Sequence, residues 1–336
     1  MSIPTTCETS AVTLRLGVVT PLPGLPLHQH RDWYRELVDL GYGELWVGES
    51  GDADAVTPLA LAAAWAPELA LGTAVVSSFT RPPGLLAMTA ASLADAAPNR
   101  FTLGIGASSP AIVSGWNAID FQRPVERTRD VVRFLRAAFT GDRVDDRYAS
   151  FAIDGFRLGR RPESAPPVLV GALRPGMLRI AGAEGDGAVL TCLGAPDAAQ
   201  SSEIVREAAS EAGRPEPRIV AWVMVCASGD ADAVRQAARR RLAGYLSAPA
   251  YRAFQAWLGH GEALAAFHER WDRGERREAA SAIPDEIVDA LVVHGSPEVC
   301  RDHLSRFVDS GVDTLLLEAM PGPVTAEDSI RLLAPP

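Results

Sequence analysis

The sequence predicts an α/β protein of the (β/α)₈ TIM barrel class with two insertions. Apolar segments alternate with amphipathic helical segments along the chain, and the apolar segments are continuous runs rather than alternating patterns. Continuous runs are typical of strands that are buried on both faces of a parallel sheet. Eight strand–helix units fit within 336 residues and leave room for two insertions. A doubly wound parallel sheet is the alternative architecture.

The first half of the chain contains four strand–helix units in direct succession. Gly41 and Gly43 end the first predicted helix, and Pro98 follows the third. The predicted strands are residues 14–20, 44–49, 69–77 and 101–107. The predicted helices are residues 28–40, 56–66, 85–97 and 125–139.

The second half repeats this order around longer connections. Residues 142–165 form a polar insertion with a short hairpin near 151–158, and a mostly helical insertion covers about residues 240–290. The predicted strands are residues 168–172, 187–193, 218–227 and 312–318. The predicted helices are residues 177–183, 197–212, 297–310 and 326–333. No composition shift divides the chain, so we expect a single domain over 14–336 that follows an N-terminal tail, 1–13.

The charge balance excludes several classes of protein. The chain carries 32 basic and 42 acidic side chains, a net charge of −10, which argues against binding to nucleic acids or membrane surfaces. Every basic residue among those 32 is arginine, so lysine Schiff bases and P-loop lysines are excluded. Residues 1–13 lack the features of a signal peptide, and the four cysteines are far apart, so we expect reduced thiols and a cytoplasmic location.

In enzymes with a (β/α)₈ barrel, the active site lies at the C-terminal ends of the barrel strands. In this sequence those positions carry few acids and no histidine, which suits a large bound cofactor better than acid–base hydrolysis. Gly104 and Gly106 resemble the start of a dinucleotide fingerprint, but the third glycine position is Ser109, and no helix is predicted between Pro110 and Arg123. The alternative is that small residues let a flat ligand approach the backbone.

The segment 170–176 predicts an anion site at a helix N-terminus. Pro175 stands near the first helical position, and the early N–H groups of such a helix are unpaired. Arg174 adds a charge, and the hydroxyl of Thr191 at the end of the next strand points to the same anion. The alternative is an ordinary strand–helix turn with a surface arginine.

Glu49 directly follows a predicted strand and faces the barrel mouth. It is interpreted either as an acid or as a negative charge at the following helix N-terminus. Ser108 and Ser109 are interpreted either as ligand contacts or as turn residues. The pairs His28–His30 and Cys300–His303 lack converging partners, so no metal site is predicted.

Four segments together resemble the luciferase-like monooxygenase superfamily, in particular its branch that depends on the deazaflavin coenzyme F420. They are residues 71–93, 99–141, 166–193 and 294–317. The resemblance implies a barrel whose mouth holds the deazaflavin, and a non-prolyl cis peptide at Ala74–Val75 that supports its central ring. It also implies a set of cofactor-binding residues at the strand ends and phosphate loops: Ala74, Val75, Gly106, Ala107, Ser108, Gly171, Ala172, Leu173, Arg174, Thr191 and Cys192. Relatives are often dimers, so the resemblance implies a homodimer.

The activity implied by this resemblance is hydride transfer between C5 of F420 and a C=C, C=N or C=O group of a small organic substrate. Glu49 and Ser109 occupy the catalytic positions, with Glu49 or a bound water as proton donor. Relatives that oxidise a sugar phosphate use other residues there, together with lysines that this chain lacks, so that reaction is not expected. The alternatives are an FMN-dependent monooxygenase that uses O2 and a partner flavin reductase, and a non-catalytic cofactor-binding barrel. Trp116, Asn117, Trp222 and Trp257 are interpreted either as a substrate wall or, individually, as residues that pack in the core.

Overall fold

Parallel strands close on themselves into a barrel in the computed structural model, which describes residues 14–335. The strands in chain order are β1 Arg15–Val19, β2 Glu44–Val47, β3 Ala70–Thr73, β4 Val76–Ser77, β5 Phe101–Gly106, β6 Val144–Arg147, β7 Ala152–Phe156, β8 Val168–Gly171, β9 Gly187–Thr191, β10 Arg218–Cys226, β11 Val292–His294 and β12 Thr314–Ala319. The barrel order is β1–β2–β3–β5–β8–β9–β10–β12, with β4 continuing β3 along β5. Parallel pairing of β12 with β1, for example Thr314 with Arg15, closes the ring.

The barrel prediction is confirmed, and each predicted strand is present in its predicted order. Closure through β12 and β1 excludes the doubly wound alternative, because an open sheet would leave both of those strands at an edge. The helices around the barrel are α1 His30–Asp39, α2 Val56–Trp65, α3 Pro83–Ala96, α4 Pro124–Phe139, α5 Pro175–Ala183, α6 Ala195–Glu211, α7 Ala231–Leu246, α8 Pro249–Trp257, α9 Ala265–Asp272, α10 Arg276–Ser281, α11 Asp285–Leu291, α12 Pro297–Asp309 and α13 Ala326–Leu332.

The insertions differ in detail from the prediction. The first contains the antiparallel hairpin β6–β7, which begins earlier in the chain than expected. The second is helical from α7 to α11, but it ends in an unpredicted strand, β11, which pairs with the end of β10. The prediction of no helix between Pro110 and Arg123 was wrong, because a π-helical turn covers Ala111–Trp116. Ser109 starts this turn: its carbonyl accepts from Val113 N at 2.9 Å.

A buried ionic cluster fills the N-terminal end of the barrel. Glu44 accepts hydrogen bonds from Arg218 Nη2 at 2.6 Å and from Trp46 Nε1 at 2.8 Å, and Arg218 also donates to Thr314 Oγ1 at 2.8 Å. The Glu44 side chain is only 4% exposed, so these contacts replace its hydration. These contacts place the charged side chains of β2 and β10 in the barrel interior at its N-terminal end.

No helix among residues 14–335 is long and apolar enough to cross a membrane. The predicted N-terminal tail, 1–13, lies outside the described residues.

Candidate active site at the C-terminal end of the barrel

One half of the barrel mouth is lined by glycines, and we call this half the glycine shelf: Gly48, Gly104, Gly106 and Gly171. A Cβ at Gly106 would lie 2.6 Å from Val75 Cγ2, and one at Gly171 would lie 3.2 Å from Val75 Cγ1. The side chain of Val75 therefore occupies the space that these glycines leave, and no larger side chain rises from β5 or β8 at this level. The surface at this level therefore consists of the Val75 side chain and the backbone of β5 and β8, against which a planar ligand can pack closely.

The peptide bond between Ala74 and Val75 is cis, as the resemblance implies. It lies between β3 and β4, next to the glycine shelf, and Ala74 N donates to Val47 O at 2.7 Å. A Cβ at Gly48 would lie 2.8 Å from the carbonyl oxygen of Ala74. Strands β2, β3 and β5 thus contribute backbone rather than side chains to this part of the mouth.

Two non-glycine residues at strand ends adopt left-handed backbone conformations. Ser108 follows β5 with φ of 65°, and Cys192 follows β9 with φ of 54°. Such conformations are uncommon for non-glycine residues and cluster at functional sites. The carbonyl of Cys192 accepts a hydrogen bond from the buried Gln255 Nε2 at 2.8 Å, which fixes this strand end. Burial raises the pKa of the Cys192 thiol to about 12, so the thiol is neutral and serves as packing.

The predicted anion site has the local structure that the sequence indicates. Arg174 is the N-cap residue of α5, its side chain is exposed, and among residues 14–335 it forms no ion pair or side-chain hydrogen bond. Gly176, at the second helical position, has open space where a side chain would stand. Leu173 is half-buried beside them. Pro175 has no N–H, and Met177 N donates to Arg174 O at 2.9 Å, so the first turn offers the N–H of Gly176 as its donor. That N–H and the Arg174 guanidinium together suit a phosphate.

The remaining predicted cofactor residues border this site. Ala172 is buried, and its N–H donates to Val189 O at 3.1 Å, which ties the loop to β9. Thr191 is half-buried at the end of β9, and Ala107 is half-buried at the end of β5. These positions agree with a ligand that spans from β5 to β9.

The two predicted catalytic residues have different surroundings. Arg81 donates through Nε to both carboxylate oxygens of Glu49, at 3.1 and 3.3 Å, and Arg81 Nη2 also contacts Oε1. Ala55 N donates to the same carboxylate at 3.1 Å. Ser109 Oγ accepts from Ile112 N at 3.4 Å and thereby caps the π-helical turn. Glu49 is therefore held in place by an ion pair, and Ser109 has a local structural partner.

A second ion pair, which sequence reasoning missed, lies across the mouth from the shelf. Glu318, at the end of β12, accepts from Trp222 Nε1 at 2.7 Å and from Arg241 Nη2. Glu318 was identifiable as a strand-end acid, but its partner Arg241 lies on α7 within the helical insertion. No local sequence signal relates that helix to the barrel.

The predicted substrate wall is only partly assembled. Trp222 faces the mouth, where a Cβ at Gly48 would lie 2.9 Å from its ring. Trp116 is 63% exposed on the π-helical turn and approaches Gly51. Asn117 instead donates to Ile112 O at 2.8 Å, and Trp257 stacks on Phe254 with ring centroids 6.0 Å apart. Across the described part of the chain, no group of three potential ligand side chains is placed to hold a metal ion.

Comparisons with known proteins agree with this geometry. The sequence profile of the luciferase-like monooxygenase family matches residues 10–314. The chain is 23% identical to 5,10-methylenetetrahydromethanopterin reductase of Archaeoglobus fulgidus, across 93% of this chain and 95% of the relative. It is 26% identical to F420-dependent glucose-6-phosphate dehydrogenase of Nocardia farcinica, across 74% of this chain and 72% of the relative.

Solved structures show the same fold at low sequence identity. A coenzyme F420 dependent tetrahydromethanopterin reductase from Methanopyrus kandleri superposes with a TM-score of 0.78 and 21% identity, covering 96% of this chain and 97% of that one. An F420-dependent secondary alcohol dehydrogenase in complex with an F420-acetone adduct gives 0.78 and 17%, covering 95% and 98%. The oxygenating constituent of 3,6-diketocamphane monooxygenase from Pseudomonas putida, in complex with FMN, gives 0.65 and 18%, covering 96% and 97%.

Proposed function

The chain belongs to the luciferase-like monooxygenase family, and from that premise we propose that it is an F420-dependent oxidoreductase. The reaction is hydride transfer between C5 of the deazaflavin and a C=C, C=N or C=O group of a small organic substrate. Curated relatives that depend on F420 support the choice of cofactor.

The observation that carries this proposal is the combination of the glycine shelf with the free guanidinium of Arg174. A surface of strand backbone and the Val75 side chain suits a planar tricyclic ring, and the α5 N-terminus suits a phosphate. Both features lie at the C-terminal end of one barrel, where Gly171 of the shelf and Arg174 are separated by only two residues. FMN also carries a flat ring and a phosphate, so this geometry fits both cofactors, and the named relatives favour F420.

Different residues of the chain bind the cofactor and transfer the proton. The shelf fixes the plane of the ring, and Arg174 with the N–H of Gly176 holds the phosphate. The deazaflavin, when bound, supplies C5 as the site that gives or takes the hydride. Arg81 and the Ala55 N–H hold the Glu49 carboxylate in place at the end of β2, where its oxygens can accept a proton when an alcohol or amine is oxidised. In the reducing direction, a bound water supplies the proton.

Titration of the purified protein with F420 and, separately, with FMN tests the cofactor assignment by fluorescence. Binding of F420 at least about tenfold tighter than FMN is expected, a difference of ~1.4 kcal/mol. Hydride transfer should then proceed without oxygen. It is monitored by the absorbance of F420 at a fixed concentration of the reductant or oxidant. Preference for FMN, with turnover only in the presence of O2 and a flavin reductase, would instead identify a monooxygenase. Binding of neither cofactor would refute the proposed function while leaving the fold unaffected.

A further inference from the structure

Aromatic side chains line the half of the mouth that faces the glycine shelf. We call Trp222, Tyr245 and Tyr251 the aromatic wall. The Tyr245 and Tyr251 rings meet edge to face with centroids 5.6 Å apart, and Arg241 Cζ lies 5.6 Å from the Tyr245 ring. Trp222 reaches across to Gly48 of the shelf. The mouth therefore has a small-residue side and an aromatic side.

The charges beside this wall are already balanced within the protein. Arg241 is paired with Glu318, which is 13% exposed and also bonded to Trp222. On the other side of the mouth, Arg81 is paired with Glu49. An anionic substrate would have to break one of these pairs to gain a cation, and it would leave a partly buried carboxylate without its partner.

The two tyrosine hydroxyls have no such partners. Within residues 14–335 neither hydroxyl takes part in a hydrogen bond, although both side chains are half-buried and packed against the apolar cluster under α7 and α8. Neither hydroxyl oxygen is fully buried, so each can reach a partner that enters the mouth. Burial raises the pKa of both phenols above the ordinary value, so both hydroxyls stay protonated and available as donors.

We propose that the aromatic wall selects an uncharged carbonyl compound with a flat apolar body, whose oxygen accepts a hydrogen bond from Tyr245 or Tyr251. The ring body packs against Trp222, and the paired arginines give no compensation to a charged substrate. This inference rests on the proposed function, because it names the substrate class for the same site. It also predicts binding that is measurable without turnover.

The test uses three small probes of matched shape and isothermal titration calorimetry on the F420-saturated full-length protein. Acetophenone carries the carbonyl, ethylbenzene lacks it, and 4-acetylbenzoate adds a carboxylate. In the F420-saturated protein we expect 4-acetylbenzoate to bind about tenfold or more weakly than acetophenone, because Arg81 and Arg241 are already paired and the cofactor phosphate engages Arg174. Y245F or Y251F should weaken acetophenone binding about two- to tenfold and leave ethylbenzene unchanged.

The control variant is Tyr148→Phe, a half-buried tyrosine that packs on Phe134 and Phe151 away from the mouth, and it should change none of these affinities. Equal or tighter binding of 4-acetylbenzoate, no binding of acetophenone, or unchanged acetophenone binding in both phenylalanine variants would overturn the inference. The wild-type comparison of charged and uncharged probes stands even if a variant does not fold. F420 affinity is measured first, and the probes are also titrated into cofactor-free protein. Loss of F420 binding with the probe preferences intact would therefore refute the cofactor and not the wall.

Discussion

Replacing Arg174 by alanine should weaken cofactor binding without changing the stability of the barrel. A hydrogen bond to a charged group contributes about 1.5–3 kcal/mol, so the dissociation constant for F420 should rise roughly 10- to 150-fold. The Arg174 side chain is exposed, makes no capping bond to α5, and has no partner among the described residues. The free energy of unfolding in urea should therefore stay within about 0.5 kcal/mol of wild type.

Arg179→Ala is the matched control for this experiment. Arg179 is also exposed on α5, but it lies more than one turn further along the helix, away from the N-terminus. Fluorescence titration at low and high salt should show a large effect for Arg174→Ala that shrinks as salt screens the charge, and little effect for Arg179→Ala. An unchanged dissociation constant for Arg174→Ala, or equal losses in both variants, would refute the phosphate site.

Three further predictions follow from contacts elsewhere in the barrel. Gly106→Ala should weaken F420 binding because the new methyl group meets Val75 at 2.6 Å. Adding Val75→Ala should restore much of the affinity in the same fluorescence titration. Unchanged affinity in the single variant would contradict the role of the glycine shelf in cofactor binding. Arg218→Met should lower the free energy of unfolding in urea by about 3 kcal/mol, because the buried Glu44 then keeps only the Trp46 N–H and the more distant Arg15, at 3.6 Å. Adding Glu44→Gln should recover part of that loss, and a neutral single variant would show that the pair is dispensable. Burial raises the pKa of Cys192 to about 12 from 9.0, so the folded state binds this proton more tightly than the unfolded state, and the contribution of the thiol to stability is complete below pH 9 and declines as pH rises towards 12. The difference in the free energy of unfolding in urea between wild type and Cys192→Ala should therefore be smaller at pH 10 than at pH 7.5. A larger difference at pH 10 would contradict this sign.

The fold could be predicted because each barrel strand can be recognised from the apolar residues that form it. Strands such as 101–106 and 218–226 are buried on both faces, so consecutive residues in them must be apolar, and this continuous run is visible in the local sequence. Strand β11 escaped prediction because its three residues continue directly from α11 and pair with β10 only in the assembled fold. The π-helical turn Ala111–Trp116 was missed because six residues that include Gly115 are too few to show a helical period.

The candidate site residues that the sequence could indicate are those at the ends of predicted strands. Glu49, Arg174 and the small residues around Gly106 could be identified from their positions after predicted strands. The pairing of Glu49 with Arg81 joins residues 32 positions apart, and the pairing of Glu318 with Arg241 joins residues 77 apart. Such partners depend on how loops and insertions pack over the barrel, and neither propensity nor spacing fixes that packing.

The two halves of the mouth differ in the kind of selectivity that they can provide. Glycines on β5 and β8 set a shape but offer no side-chain chemistry, so they suit a ligand that never changes, which is the role of a resident cofactor. The aromatic wall offers hydroxyls and apolar rings carried by α7, α8 and β10, and two of these elements belong to the insertion that loops outside the barrel. Because Arg174 on one side and Tyr245 on the other share no contact, their effects should be separable. The double variant Arg174→Ala/Tyr245→Phe should lose as much cofactor affinity as Arg174→Ala alone. It should lose as much acetophenone affinity as Tyr245→Phe alone. A strong departure from additivity would mean that one continuous binding surface serves both molecules.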